Sequence, residues 1–242
     1  MTEARDGRPA LFLSLAIVVA ALVLAFSAMR IADSRATLAV TGSAKQQIVS
    51  DMIVWRGTFS VIAPTLPDAY DKLEGDQKSV RDYLVSKGIA ADSLVFTSIN
   101  TQVYYAFGPG GRETSTVTGY RLFQTVEVRS RDVDRVAVIA REATELIRRG
   151  VQFESQMPEY LYTKLSEAKV SVLALATQDA RARAQEMAKN AGSHIGRLRG
   201  ARMGVFQITP AFSTSVSDYG INDTSSKLKD ITAVVTLNFE IR

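Results

Sequence analysis

The spacing of apolar positions changes several times along the chain, and each spacing names an element. The first feature is a solid block. Leu11 to Met29 carries neither charge nor proline, and only Ser14 and Ser27 interrupt it. At ~1.5 Å rise per residue such a helix spans about 28 Å, close to the ~30 Å hydrocarbon core of a bilayer. A soluble helix of this length would show a polar face, so the block predicts one transmembrane helix. Residues 1–10 form a short tail before it and 30–36 a polar linker after it. Ser27-Ala28-Met29 runs straight into Arg30 without a good cleavage site, which favours an uncleaved signal anchor; a cut near Ala36 is the alternative. Arg5 and Arg8 before the block face Arg30 and Arg35 after it, so the positive-inside bias is weak. The tail is too short to fold, so the long remainder is the part exported. This predicts a single-pass inner-membrane protein whose C-terminal domain lies in the periplasm or outside the cell.

Beyond the linker, period two takes over. Thr37 to Val49 reads as a strand, with Leu38 and Val40 on one face and Gly42 as a bulge position. Met52 to Ile62 alternates more clearly, with Ile53, Trp55, Phe59 and Val61 opposite Arg56, Thr58 and Ser60. Ser50-Asp51 between them predicts a turn, and hence a hairpin. The period then lengthens. Thr65 as N-cap, Pro67 in the first turn, Ala69, Leu73, Val80 and Leu84 on one stripe and Gly88 as the stop predict a helix. Gly75 weakens its middle turn.

Two long strands are expected next. In the first, Val95, Thr97, Ile99, Thr101, Val103, Tyr105 and Phe107 share a face; in the second, Tyr120, Leu122, Val126 and Val128 do. Arg121, Glu127 and Arg129 lie opposite the second set. Gly108-Pro109-Gly110-Gly111, followed by the polar stretch from Arg112, marks the turn, so the pair reads as an arm reaching beyond the domain body. Asp132 caps a second helix, with Val136, Ile139, Ala140, Ala143, Leu146 and Ile147 on its stripe and Gly150 as its end. Tyr160-Leu161-Tyr162 reads as a short strand. A long alanine-rich helix runs from Ser166 to Ala191, with Val172, Leu175, Ala176, Ala180, Ala184, Met187 and Ala188 inward and an Asp179–Arg183 pair at i,i+4 spacing. Leu198 to Ile208 reads as a strand and Thr209 to Asp230 as a polar loop. The chain closes on Ile231, Ala233, Val235, Leu237, Phe239 and Ile241 against Thr232, Thr236, Asn238, Glu240 and Arg242. Hairpins between helices predict an α+β fold with antiparallel sheets and helices packed on one face. Helix followed by hairpin occurs twice, which suggests a two-fold internal repeat.

Composition adds mainly exclusions. Hydrophobic residues make up 46% and charged residues 22%, an ordinary globular balance that argues against extensive disorder. The formal net charge of +4 comes without a dense basic run, so nucleic acid is not an expected partner. There is no cysteine, which removes disulfides, thiolate nucleophiles and cysteine zinc sites. His194, the only histidine, follows a helix end between Gly192 and Gly196 and reads as a surface or capping residue. No Gly-x-Ser-x-Gly turn supports a serine nucleophile, and Gly108–Gly111 lacks the Gly-Lys-Ser/Thr ending and the following helix of a phosphate cradle. The acidic residues Asp51, Asp68, Asp71 and Glu74 include a cluster at a helix start, which suits the helix dipole without a metal. No enzyme, cofactor or metal site is expected.

Several local patterns, in order, resemble the SIMPL-domain family of bacterial periplasmic immunogens and envelope proteins associated with oxidative stress. Leu38-Ala39-Val40-Thr41-Gly42 is similar to its opening strand and glycine. Gly119-Tyr120-Arg121 begins a strand continuing through Val126-Glu127-Val128 to the Asp132-Val133-Asp134 helix entry. Ala176 to Ala184, ATQDARARA, resembles the family helix in which an Asp-Ala pair precedes basic and small residues, and the alternating final strand closes the match. Gly192-Ser193-His194-Ile195-Gly196 departs modestly from the family's glycine-leucine stretch. The resemblance covers residues 37–242; it implies an α+β fold and, in some members, ring-like homo-oligomers, and it carries over no catalytic residue. The expected function is therefore a membrane-anchored structural or interaction protein of the envelope that self-associates, with a possible link to envelope or oxidative stress. Its partners would be itself, the bilayer through Leu11 to Met29, and an envelope protein. The expected contact surfaces are the arm, at Tyr104, Tyr105, Phe107, Gly108, Pro109, Gly110, Gly111 and Arg112, and the alanine-rich helix. The alternative is a partner- or ligand-binding module that uses the 209–230 loop.

Overall fold

The computed structural model describes residues 16–25 and 36–242. Helix α1 occupies residues 16–25 and is exposed along its length. The remainder of the proposed Leu11–Met29 anchor lies outside the described residues, and among those described no helix is long and apolar enough to cross a membrane. There follow β1 (Thr37–Val49), β2 (Met52–Ala63), α2 (Leu66–Ser86), a 3-10 turn (Ala91–Ser93), β3 (Leu94–Phe96), β4 (Asn100–Phe107) and β5 (Glu113–Ser130). Then come α3 (Val133–Glu142), α4 (Glu145–Arg148), β6 (Gln152–Ser155), β7 (Glu159–Leu161) and α5 (Leu165–Asn190). β8 (Ile195–Met203), β9 (Gln207–Pro210), β10 (Ile221–Asn222) and β11 (Leu228–Ile241) complete the chain. The class is α+β; β2 and β5 pair antiparallel with each other and with their neighbours, as do β8 and β11, whereas β9 and β10 are parallel.

Two compact units divide these elements. The larger comprises Gln46–Ala168 and Gln207–Ile231; the smaller comprises the described residues up to Lys45, Lys169–Phe206 and Thr232–Arg242.

In the larger unit, β5 pairs with β2 from Ile53↔Ser130 to Ala63↔Tyr120, while β3 and β4 flank β5 and β6 and β7 flank β2. Alternation puts Ile53, Trp55, Phe59 and Val61 of β2 beside Leu122, Val126 and Val128 of β5 on the buried face. α2, α3 and α4 cover that face with Leu73, Val80, Tyr83, Leu84, Val136, Ile139 and Leu146. The Phe153 ring lies over Gly57, where a β-carbon would meet it at 2.2 Å. On the opposite face Arg56 pairs with Glu127 at 2.7 Å and Glu159 at 2.6 Å, so the polar half of the alternation is satisfied laterally. α2 starts where its cap predicts: Asp68 N–H donates to Thr65 Oγ1 at 3.3 Å, and the Thr65 hydroxyl donates to the Asp68 carboxylate at 2.6 Å. Asp132 likewise accepts from Arg135 N–H at 3.2 Å to open α3.

Local pattern fails at four places, each for a physical reason. Ser50-Asp51 does not close a hairpin: Ser50 N–H donates to Lys227 O and Asp51 N–H to Leu161 O, and β1 and β2 pair with other strands. The first long strand is interrupted at Thr97–Ile99. β3 pairs Phe96 with Val126 and β4 resumes with Asn100 opposite Phe123, so four steps on one strand meet three on the other. The extra residue reverses parity: Leu94 and Phe96 face the core while Val95 is exposed, and in β4 it is Thr101 and Val103 that lie opposite Leu122 and Tyr120. The second helix breaks at Ala143-Thr144, where Leu146 and Ile147 bond three residues back, and Ile147 turns outward. Finally, the expected strand over Leu198–Ile208 is two strands, β8 and β9.

In the smaller unit, β11 runs between β1 and β8, antiparallel to the latter. Ala233, Val235, Leu237 and Phe239 are buried as the alternation requires. α5 presents a row at i, i+4 spacing: Val172, Ala176, Ala180, Ala184 and Ala188, all buried. Leu175 and Met187, expected on this stripe, are exposed. Gly42 gives the reason. A β-carbon there would sit 2.2 Å from Ala180 N and 2.6 Å from Ala176 O, an approach that only small side chains permit.

Candidate interaction surfaces

β2 ends at Ala63 opposite Tyr120, but β5 extends back to Glu113, and over that stretch β4 alone pairs with it: Tyr104↔Gly119, Tyr105↔Val117 and Phe107↔Glu113. The two strands therefore run on as a ribbon past the end of β2. Two register shifts, on either side of Tyr105, interrupt the ladder. Thr114 and Thr118 restore bonds there by donating their hydroxyls to Ala106 O at 2.9 Å and Tyr104 O at 3.1 Å. Gly108 N–H donates to Arg112 O at 2.9 Å to close the tip, and Gly110 and Gly111 adopt φ of +84° and +73°. Those angles explain the glycines as a turn, in keeping with their position between strands. Tyr104, Tyr105 and Phe107 thus lie on the ribbon, Gly108 to Gly111 form its tip, and Arg112 leads into the return strand.

Beside the ribbon runs an open groove of about 620 Å³, lined by Ile62 to Pro64, Tyr104 to Phe107, Thr118 and Gly119. No charged residue lines it. Phe107 is 69% exposed, and Tyr105, Ile62 and Val117 are also exposed. Such a surface can bury area against another molecule.

A second strip of apolar side chains lies in the 209–230 segment. Phe212, Val216 and Tyr219 are among the most exposed large apolar residues described, and Phe212 takes a positive φ of 66°. The segment is tethered all the same: Phe212 N–H donates to the Asp230 carboxylate at 3.0 Å, and Gln207 Nε2 donates to Ser217 O at 2.7 Å. It is also less of a loop than expected, because β10 pairs in parallel with β9 and β11 begins at Leu228.

Two short motifs of the sequence meet in the smaller unit. Gly42 allows β1 to touch the backbone of α5, and the next residue's N–H, Ser43, donates to Asp179 Oδ2 at 2.9 Å. Arg183, one turn on, holds that carboxylate at 2.9 Å. The opening glycine and the Asp-Ala-x-x-Arg helix are two halves of one contact. A family model described as SIMPL, protein of unknown function (DUF541), matches residues 38–239, from β1 to the end of β11. The chain belongs to the SIMPL family. No curated protein matches it.

Two further features of this SIMPL chain escaped the pattern of the sequence. A polar cleft joins Ser50, Asp51, Arg131, Asp134, Thr163 and Lys227. Burial pushes the Asp51 carboxyl up, but bonds from Thr163 N–H at 2.7 Å and Oγ1 at 2.6 Å outweigh it and hold the group below its ordinary range. Lys227 and Asp134 pair across the cleft at 2.6 Å. The other feature is a smaller cavity walled by Tyr160, Ile208, Asp223 and Lys229. Lys229 was legible in one respect: it stands two residues before Ile231, on the inward parity of β11, and it is buried. His194 is exposed and its main chain pairs with Arg242, N–H to O at 2.7 Å. Among the described residues no group of three or more His, Cys, Asp or Glu is placed to hold a metal.

Proposed function

We propose that this SIMPL protein is a membrane-anchored, extracytoplasmic structural or interaction protein that self-associates in the cell envelope through the β4–β5 arm. The supporting observation is the ribbon itself: a two-stranded extension with Phe107, Tyr105 and Val117 exposed beside an uncharged groove. Aromatic side chains on a rigid ribbon give up little entropy when they bury, which suits them as contact anchors. Anchoring through the N-terminal apolar block would hold many copies on one surface and raise their effective concentration, so that weak contacts suffice. The reading is non-enzymatic, and any part in envelope or oxidative stress would be played by assembly, because there is no cysteine to act as a thiol sensor. Helix followed by strands occurs twice, α2 before β3 to β5 and α5 before β8 to β11, which favours a two-fold internal repeat. The test is the size of the full-length protein purified in detergent; a plain monomer at micromolar concentration would overturn the reading.

The exposed Phe212, Val216 and Tyr219 favour a second reading, in which the 209–230 segment recognises an envelope partner. Replacing these three by serine would then abolish capture of that partner while leaving assembly intact.

A further inference from the structure

Charge is divided unequally between the two units. The described residues of the smaller unit carry nine Lys and Arg against three Asp and Glu, a formal +6, whereas the larger unit carries sixteen against nineteen, a formal −3. Within the smaller unit the excess gathers at one end of the sheet. Ile241 N–H donates to Ala36 O at 3.2 Å, and His194 and Arg242 exchange main-chain bonds at 2.7 and 2.8 Å. At ~4.8 Å per strand, Ala36 and His194 therefore lie about 10 Å apart across β11, at the same end of β1, β11 and β8. Lys189 stands in the last turn of α5, which leads into that end, and Arg197 and Arg199 follow at the start of β8. All three are exposed, and Leu198 between the arginines is 52% exposed although it stands opposite the buried Phe239. Glu240 is the one acidic residue in β1, β8 and residues 232–242. It is buried and shared between Arg199 and Arg242, so the balance stays positive even there. The Lys189 and Arg197 side chains have no ion-pair partner among the described residues.

This end is also where the chain arrives from the apolar block. Seven residues carry it from Met29 to Ala36, and at ~3.6 Å per residue they span at most about 25 Å. Arg30 and Arg35 outnumber Asp33 along the way. Anionic headgroups attract basic side chains held close to them, and Lys and Arg stems lie readily beside apolar neighbours such as Leu198. We propose that the end of the sheet at which β1 begins rests on the bilayer, with Lys189, Arg197, Arg199 and Arg242 against the phosphates of anionic lipids and Leu198 at headgroup depth. The inference rests on the anchored reading above, which supplies the tether; the docking supplies an orientation of the smaller unit on its membrane.

The test uses the full-length protein in phosphatidylcholine vesicles with or without phosphatidylglycerol, each carrying a headgroup-linked quencher. The chain has no cysteine, so His194→Cys takes a single fluorophore at the proposed contact, and Met203→Cys takes one roughly 25 Å further along β8. Quenching at position 194 should be stronger with phosphatidylglycerol. The difference should vanish as the screening length falls from ~10 Å in 0.1 M salt to ~3 Å in 1 M salt. Position 203 should be quenched weakly in both vesicles. Lys189→Gln with Arg197→Gln should shrink the excess at 194; the lipid and salt comparisons decide the matter if that variant fails to fold. Equal quenching at 194 in both vesicles, indifference to salt, an excess unchanged in the glutamine variant, or equal quenching at 194 and 203 would overturn the proposal. Equal quenching together with an assembly that dissociates in the glutamine variant would reassign the basic end to an acidic protein surface. Flotation separates the two readings: protein that floats with both vesicles is anchored, whatever position 194 reports. Protein that floats only with phosphatidylglycerol overturns the anchor and leaves the docking, and protein that floats with neither overturns both.

Discussion

Replacing Gly42 by alanine tests the close contact between β1 and α5. The added carbon would lie 2.2 Å from Ala180 N, 2.5 Å from Ala180 Cα and 2.6 Å from Ala176 O. All three are backbone atoms of α5, so no side chain can swing aside. Carbon contacts settle at ~3.5–4.0 Å, so β1 and α5 must separate by about 1 Å or more. The alanine row then loses contact along its length, and the bond from Ser43 N–H to Asp179 stretches with it. Overpacking of this kind costs about 1–3 kcal/mol and occasionally more, and a lost hydrogen bond adds about 1 kcal/mol. A destabilisation of about 2–4 kcal/mol is expected, a large part of the ~5–15 kcal/mol that holds a typical domain folded. Urea unfolding of the full-length protein, followed by far-ultraviolet circular dichroism, measures it. Gly75→Ala in α2 is the internal control: no atom lies within 4 Å of the added carbon, and it should stabilise by up to ~1 kcal/mol. A Gly42→Ala midpoint equal to the wild type's would refute the close approach and the explanation of the motif drawn from it.

Other expectations follow from single groups. Asp51 has a carboxyl pKa below its unfolded value, so its contribution to stability is present above the ordinary carboxylate range and is lost as pH falls through the folded pKa; Asp51→Asn should flatten that acid limb in pH-dependent melting. Burial lowers the Lys229 pKa, with the Asp223 charge opposing, so the unfolded chain binds the proton more tightly. Stability should therefore rise as pH climbs from that lowered value toward 10.5, and Lys229→Met should remove this rise in the same melting series. Trp55 Nε1 donates to Ser155 Oγ at 3.0 Å, and Ser155 donates onward to Ala140 O at 2.6 Å. Trp55→Phe should cost about 2 kcal/mol in urea unfolding, the sum of an unpaired buried acceptor and a smaller ring in the core.

Much of the fold was legible because its signals are local. Thr65, Asp68 and Gly88 bound α2 through bonds and angles made within a few residues, and the apolar sets Ile53, Trp55, Phe59 and Val61 of β2 and Ile231 to Phe239 of β11 are buried as the alternation requires, although Ser60 and Glu240 on the polar sets are buried too. What could not be read depends on distant partners. The turn expected at Ser50-Asp51 lost its bonds to Lys227 and Leu161, and nothing near position 50 announces either. The parity of β3 was misread because it fits one alternating pattern with β4, while the extra residue between Phe96 and Asn100 exists only relative to β5. Leu175 and Met187 fit a helical stripe, but the approach of Gly42 selects the narrower alanine row. The arm was foreseen from its glycines and strand lengths. The Lys229 cavity was not, because its wall draws on four stretches between Ile48 and Lys229 and no pattern within any one of them encloses a space.

Self-association through the arm is tested most directly by light scattering on size-separated full-length protein in detergent, with Phe107→Asp run alongside. A charge at that exposed ribbon position should leave the fold intact and exclude a second copy from the groove. The account predicts a particle of several chains for the wild type and a single chain for Phe107→Asp. A monomeric wild type, or an assembly that tolerates the aspartate unchanged, would contradict it.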